Sequence, residues 1–164
     1  MSWLLLQFEV PGEPRGKGRP RFTRTGRTYT DDKTAAYENL VRLSFDRKYP
    51  GWEPTEKALK VDIIAYFRAP QSWSKRKQER AYAGDTPKVT KPDLDNIIKA
   101  VLDGLNETAW VDDNQVIDIR CRKEYWPEPK LTVSIWNEEY VEGEEDGGHK
   151  HSNVIWKTDT GSGA

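Results

Sequence analysis

The sequence predicts one α+β domain, built as a small mixed β-sheet with helices packed on it. Apolar residues alternate as in strands near both ends of residues 1–137, and they recur every three or four positions in stretches between. The chain has 164 residues, a length that suits one hydrophobic core rather than two. These patterns do not determine the order of the strands.

Four segments are predicted in the first half of the chain. Residues 3–10 are read as an apolar strand, since they lack the basic start and the cleavage site of a secretion signal. Residues 15–27 are a loop or ribbon, because glycine and proline interrupt them repeatedly. A helix is expected from about residue 31 to 48, where apolar side chains recur at helical spacing, and a strand at residues 59–67, where they alternate.

Two helices and two strands are predicted in the second half. A short charged helix covers residues 74–83, and the clearest helix of the chain covers residues 93–106. The apolar stripe of this second helix consists of Leu94, Ile97, Ile98, Val101, Leu102 and Leu105. Strands follow at residues 115–125 and 131–137, joined by a turn that contains two prolines.

Charge is distributed unevenly, although the formal net charge is only −1. Residues 15–27 carry basic residues and no acid, and we call this segment the basic arm. Its basic residues are Arg15, Lys17, Arg19, Arg21, Arg24 and Arg27. Such a segment predicts contacts with DNA phosphates, with a solvated loop as the alternative. Phe22, Tyr29 and Trp110 could stack on unpaired bases, although core packing is expected for Trp110.

Residues 138–164 are predicted to be a flexible tail outside the domain. They begin with an acidic run, become glycine-rich and end in GSGA. His149 and His151 in this tail are expected to be incidental rather than a metal site. Cys121 is the only cysteine, which excludes an internal disulfide and a thiolate zinc site and makes a reducing cytoplasm the expected setting.

Four acids and a lysine stand out around the predicted long helix. Asp93 and Asp95 lie at its start, and Lys99 lies one turn after Asp95 on the same face. Asp112 and Asp113 come just before the next strand, whose start is expected to return close to the start of the helix. Three or four carboxylates would then share a small space, which favours a hard cation such as Mg²⁺ or Mn²⁺. Such an ion supports hydrolysis of a phosphodiester, and Lys99 would neutralise charge that develops during the reaction.

Each of these residues also has an ordinary structural explanation. Asp93 could serve only as the N-cap of the helix, and Asp95 could be a first-turn acid that the helix dipole favours. Lys99 could be the i+4 ion-pair partner of Asp95. Asp112 and Asp113 could belong to a polar turn before a strand. The spacing alone therefore leaves both interpretations open.

The same segment resembles the RusA-type Holliday junction resolvases of bacteria and their prophages. The resemblance is carried by KPDLDN followed by IIKAVLDGLN and then by WVDDNQV. Upstream it is carried by KGRPRFTRTGRTYT, which precedes a helix with Tyr37. It extends over residues 3–137, with several motifs in the order of the family. It implies a RusA-like α+β fold and the activity of a crossover junction endodeoxyribonuclease.

The resemblance implies a role for each matching position. The two aspartates of the DLDN motif are Asp93 and Asp95, which would bind the metal, with Asp113 as the third ligand and Asp112 as a supporting acid. Lys99 matches the lysine that the family uses in catalysis. The implied cofactor is Mg²⁺, for which Mn²⁺ can substitute. The implied partner is a four-way junction in branched double-stranded DNA, which a homodimer cuts with two active sites.

The chain departs from the family pattern in two places. Residues 89–92 read VTKP where related sequences often carry a histidine or further arginines, and the tail from Glu138 has no counterpart. The prediction is therefore a magnesium-dependent endodeoxyribonuclease that resolves Holliday junctions in recombination and repair. One alternative is a nuclease that prefers flaps or forks. The other is a module that binds branched DNA without cutting it.

Overall fold

A computed structural model describes residues 2–18, 21–22, 24–29 and 32–138 of the chain. These ranges contain six strands and three α-helices, with one turn of 3-10 helix at Asp113–Gln115. The strands are β1 (Ser2–Pro11), β2 (Arg21–Phe22), β3 (Thr28–Tyr29), β4 (Leu59–Phe67), β5 (Val116–Tyr125) and β6 (Lys130–Glu138). The α-helices are α1 (Asp32–Lys48), α2 (Lys75–Tyr82) and α3 (Leu94–Leu105).

Four of the strands form one mixed sheet in the order β1-β6-β4-β5. β6 pairs antiparallel with both β1 and β4, whereas β4 and β5 run parallel. Buried side chains alternate along the two central strands, β4 and β6, because successive side chains of a strand point to opposite faces. β2 and β3 form a separate two-stranded ribbon at the end of the basic arm. The predicted fold class, a small mixed sheet with helices packed on it, is confirmed.

The two long helices pack against each other, and α1 also packs on β1. Phe45 of α1 meets Phe8 of β1 edge to face, with ring centroids 5.4 Å apart. Gly104 of α3 allows the helix backbones to approach closely. A Cβ at this position would lie 2.9 Å from the carbonyl oxygen of Glu38 and 3.0 Å from Cβ of Val41. The contact between α1 and α3 therefore depends on the absence of a side chain at residue 104.

The direction of α3 relative to β5 decides which residues meet around the helix. β5 follows α3 in the chain, so its first residues come after the end of the helix. The strand runs parallel to β4. At the other end of β5, Nζ of Lys123 donates hydrogen bonds to the carbonyl oxygens of Thr90 at 2.9 Å and Pro92 at 3.0 Å. The start of α3 therefore lies beside the end of β5.

The predicted helices and strands of the sheet all occur, with bounds that differ by one residue at most. The 3-10 turn before β5 lies where the alternative interpretation of Asp112 and Asp113 placed a polar turn. Asp31, the expected first residue of α1, and residues 139–164, which hold most of the predicted tail with His149 and His151, lie outside the described ranges. No helix within the described ranges is long and apolar enough to cross a membrane.

Candidate active site

Asp93 occupies the N-cap position of α3 without using its side chain as a cap. Its backbone is extended, with φ −74° and ψ 150°, and its carbonyl oxygen accepts a hydrogen bond from the backbone N–H of Ile97 at 3.2 Å. Its carboxylate makes no capping hydrogen bond and is exposed. Because an ordinary aspartate N-cap satisfies a backbone N–H of the first turn, capping does not explain this carboxylate.

Asp95 and Lys99 lie one turn apart on α3, and both are exposed. The i+4 ion pair that could have explained them is not formed among the residues that the structure describes. The Asp95 carboxylate remains in the first turn, where the helix dipole favours a negative charge. Neither charge is therefore neutralised by the other across the turn.

Asp113 is held by the most deeply buried tryptophan of the described core. Nε1 of Trp110, which is fully buried, donates a hydrogen bond of 2.7 Å to Oδ1 of Asp113. The expected core packing of Trp110 is confirmed, and its indole also orients an acid, which the sequence did not predict. Burial raises the pKa of Asp113, the hydrogen bond from Trp110 lowers it, and the charges of Asp103 and Asp112 raise it again.

Asp112 has the structural role that the alternative interpretation gave it, as part of a polar turn before a strand. It caps the 3-10 turn, where its Oδ1 accepts a hydrogen bond from the backbone N–H of Asn114 at 3.2 Å. The side chain of Gln115 accepts from the backbone N–H of Asp112 at 2.8 Å, which completes a capping box. This turn fixes the backbone on both sides of Asp113.

Among the residues that the structure describes, the expected gathering of three or four carboxylates at the start of α3 is not formed, and the metal ligands stay a prediction. Within the described ranges, no group of three acids, histidines or cysteines lies close enough together to hold a metal ion. The acid on α3 whose charge acts on Asp113 is Asp103, eight residues and roughly 12 Å along the helix from Asp95. The physical reason is the direction of β5. The strand begins near the end of α3, and its last residues lie beside the start of the helix.

Asp103 is a site residue that the sequence analysis did not single out. Its carboxylate accepts a hydrogen bond from Nζ of Lys17, and Glu38 of α1 lies 3.5 Å from the same ammonium group. The hydrogen bond with Asp103 raises the pKa of Lys17, against burial, which lowers it. Asp103 follows Lys99 by four residues, so helical spacing already placed it on the polar face of α3.

The basic arm is seated on the first turns of α3. The backbone N–H of Lys17 donates to the carbonyl oxygen of Asn96 at 2.8 Å, and that of Gly18 donates to Oγ1 of Thr34 at 3.0 Å. Gly16 lies so close to α3 that a Cβ there would be 2.9 Å from Cβ of Asn96. One concave surface is lined by residues 16–18 of the arm, by residues 91–92 and by Asp93 and Asn96.

The predicted DNA-binding residues of the arm differ in their surroundings. Arg15, Arg24 and Arg27 are exposed, as phosphate contacts require. The charge of Lys17 is instead directed to Asp103 and Glu38, so this residue anchors the arm in the described structure. Arg19 lies outside the described residues, as do the side chains of Arg21 and of the two residues predicted to stack on bases, Phe22 and Tyr29.

Comparison with known proteins identifies the family. Residues 11–136 match the family described as Endodeoxyribonuclease RusA. The uncharacterized protein YqaN of Bacillus subtilis (strain 168) is 36% identical over 135 residues, which make up 79% of this chain and 94% of that protein. The family match includes every acid and the lysine described around α3. The chain belongs to the RusA family of endodeoxyribonucleases.

Proposed function

We propose that this protein is a magnesium-dependent endodeoxyribonuclease that resolves four-way DNA junctions by paired phosphodiester hydrolysis in recombination and repair. Membership of the RusA family supports the class of reaction. The observation that carries the proposal is the seating of the basic arm on α3, through the 2.8 Å hydrogen bond from Lys17 to Asn96. This contact brings a segment suited to DNA phosphates beside the carboxylate of Asp93, which makes no capping hydrogen bond to the helix.

We propose that Asp93 and Asp95 hold the metal ion, with Asp113, which the described structure does not bring to them, as the third ligand that the family resemblance implies. Oxygen ligands without histidine or cysteine suit Mg²⁺, with Mn²⁺ as a substitute. The exposed carboxylates of Asp93 and Asp95 fit such an ion, whereas Asp113 lies toward the other end of α3, so its assignment rests on the family resemblance. Asp112 supports Asp113 through the turn. When bound, the ion supplies a Lewis acid for the phosphodiester and lowers the pKa of water.

The residues of the chain have separate tasks in this proposal. Lys99 neutralises negative charge that develops on the phosphoryl oxygens, because its ammonium group stands one turn from Asp95 without an ion-pair partner among the described residues. Trp110 holds the carboxylate of Asp113 in one orientation. Lys17 fixes the arm on the helix, and the arm arginines contact the DNA backbone without reading its sequence.

Paired cleavage requires two active sites, so we propose that the protein acts as a homodimer in the cytoplasm. Trp3 and Leu4 on the edge strand β1 are exposed apolar side chains that a second protomer could cover. Light scattering at assay concentrations should give the mass of two chains. A mass of one chain under conditions of full activity would contradict paired cleavage by a dimer.

A panel of labelled DNA substrates tests the proposal. A four-way junction, a flap, a fork and a linear duplex of equal length are incubated with the protein and Mg²⁺ under one condition. The proposal predicts symmetric nicks in the junction and little cleavage of the linear duplex. Preferred cleavage of the flap or fork would establish the alternative nuclease. Binding of the junction without cleavage in either Mg²⁺ or Mn²⁺ would establish the non-catalytic module.

A further inference from the structure

A second concave surface adjoins the candidate active site, and none of its described lining residues belongs to α3. It is a cleft of about 450 Å³ between the basic arm, the first turn of α1 and the loop before α3. This volume lies within the range of roughly 300–1,000 Å³ that is typical of ligand sites. The cleft shares Gly16, Gly18, Lys91 and Pro92 with the surface that contains Asp93. A DNA strand that passes Asp93 can therefore continue into this cleft.

The cleft is positively charged, and its charges come from three separate segments. Arg15 belongs to the arm, Lys33 to the first turn of α1 and Lys91 to the loop before α3. All three side chains are exposed, and none forms an ion pair with another residue that the structure describes. Glu13 is the acid in the lining. Lys17 differs from these three cations, because Asp103 and Glu38 neutralise it.

The walls of the cleft are held in place by the core. The hydroxyl of Thr34, which is only 4% exposed, accepts the backbone N–H of Gly18 and fixes the arm against α1. Phe67 is also buried and lines the cleft, and Nζ of Lys88 lies 4.7 Å from the centre of its ring. The backbone near Lys91 is held by hydrogen bonds from Lys88 and Lys123. The three cations therefore belong to segments whose backbone is held in place by these contacts.

We propose that this cleft binds a backbone phosphate of the DNA strand next to the phosphodiester that is cut, with Lys33 and Lys91 as its contacts beside Arg15. The inference rests on the proposed function, because it places the cleft along the path of the same strand. Lys33 and Lys91 lie outside the basic arm, and neither belongs to the acid and lysine set around α3. Their contacts add affinity and fix the register of the strand without sequence choice.

The test measures junction binding in EDTA over a series of salt concentrations, with the full-length protein. Log affinity falls as log salt rises, and Lys33→Ala and Lys91→Ala should each make this slope less steep by about one. The double variant should make it less steep by about two. Lys48→Ala is the matched control, since it removes the same charge from the exposed last turn of α1 and should leave the slope unchanged. Lys33→Arg with Lys91→Arg should keep the wild-type slope.

Cleavage in Mg²⁺ is measured on the same proteins, so that the two proposals can fail separately. A wild-type slope in the Lys33→Ala, Lys91→Ala double variant overturns the phosphate cleft, even if the junction is cut normally. Absence of any DNA binding by the wild-type protein overturns it as well. If the wild type binds junctions but never cuts branched DNA, the nuclease proposal fails. The salt slopes of the variants then still decide whether the cleft binds a phosphate. Thermal unfolding of each variant confirms that it is folded.

Discussion

The indole Nε1 of Trp110 donates a 2.7 Å hydrogen bond to Oδ1 of Asp113, so a fully buried side chain of the core fixes a half-buried acid. The two residues are separated by only three positions, and the 3-10 turn capped by Asp112 holds the backbone between the core and β5. The position of Asp113 is therefore determined by core packing and not by flexible loop structure.

Trp110→Phe should lower both stability and cleavage. Phenylalanine keeps most of the apolar area but removes the donor, and loss of a hydrogen bond to a charged group costs about 1–3 kcal/mol. Chemical denaturation measures the free energy of unfolding, and junction cleavage measures activity. Trp126→Phe is the control, because Trp126 is exposed and should change stability by less than about 0.5 kcal/mol. Wild-type stability in Trp110→Phe would show that the hydrogen bond is unimportant.

Lys17→Met should lower the free energy of unfolding by about 1 kcal/mol, since its ion pairs with Asp103 and Glu38 are partly exposed. In a double-mutant cycle, Asp103→Asn should cost less when Lys17 is already replaced. Additive effects of the two substitutions would mean that the pair is not coupled.

The same ion pairs predict a pH dependence. The pKa of Lys17 is raised from 10.5 in the folded state, chiefly by Asp103, so its stabilising effect is fully present below pH 10.5. The effect is lost as the pH rises through the higher folded-state value. The difference in stability between wild type and Lys17→Met should therefore be constant from about pH 7 to 9. A difference that disappears within this window would contradict the assignment.

Gly104→Ala tests the contact between α1 and α3. Helix propensity alone would make alanine more stable by about 1 kcal/mol. The added Cβ would lie 2.9 Å from the carbonyl oxygen of Glu38, however, and such overpacking typically costs about 1–3 kcal/mol. We expect net destabilisation in chemical denaturation. A more stable Gly104→Ala variant would mean that the helices separate easily.

The local elements could be predicted from the sequence, but the sheet order could not. The stripe that includes Leu94, Ile97 and Val101 defines α3 because helical periodicity is a local property. The order β1-β6-β4-β5 depends on pairing between segments far apart in the chain, such as Ser2 with Glu138. No local pattern records that pairing.

The candidate site could be predicted in part for the same reason. Motif and spacing identified Asp93, Asp95 and Lys99 on one helix, where neighbours in sequence are neighbours in space. The position of Asp113 required the direction of β5 relative to α3, which spacing does not give. The pairing of Lys17 with Asp103 joins residues 86 positions apart and could not be predicted either.

Cleavage of a labelled four-way junction by wild type and by Asp95→Asn, each with Mg²⁺ and with EDTA, tests the central claim most directly. Asparagine keeps the shape of the exposed side chain and removes its charge, so folding should be unaffected. We predict paired symmetric nicks by the wild type only in Mg²⁺, and a rate at least roughly 100-fold lower for Asp95→Asn, because it removes one carboxylate that holds the ion that stabilises the developing charge. Wild-type cleavage by Asp95→Asn, or equal cleavage in EDTA, would contradict the assignment of Asp95 and of the metal ion.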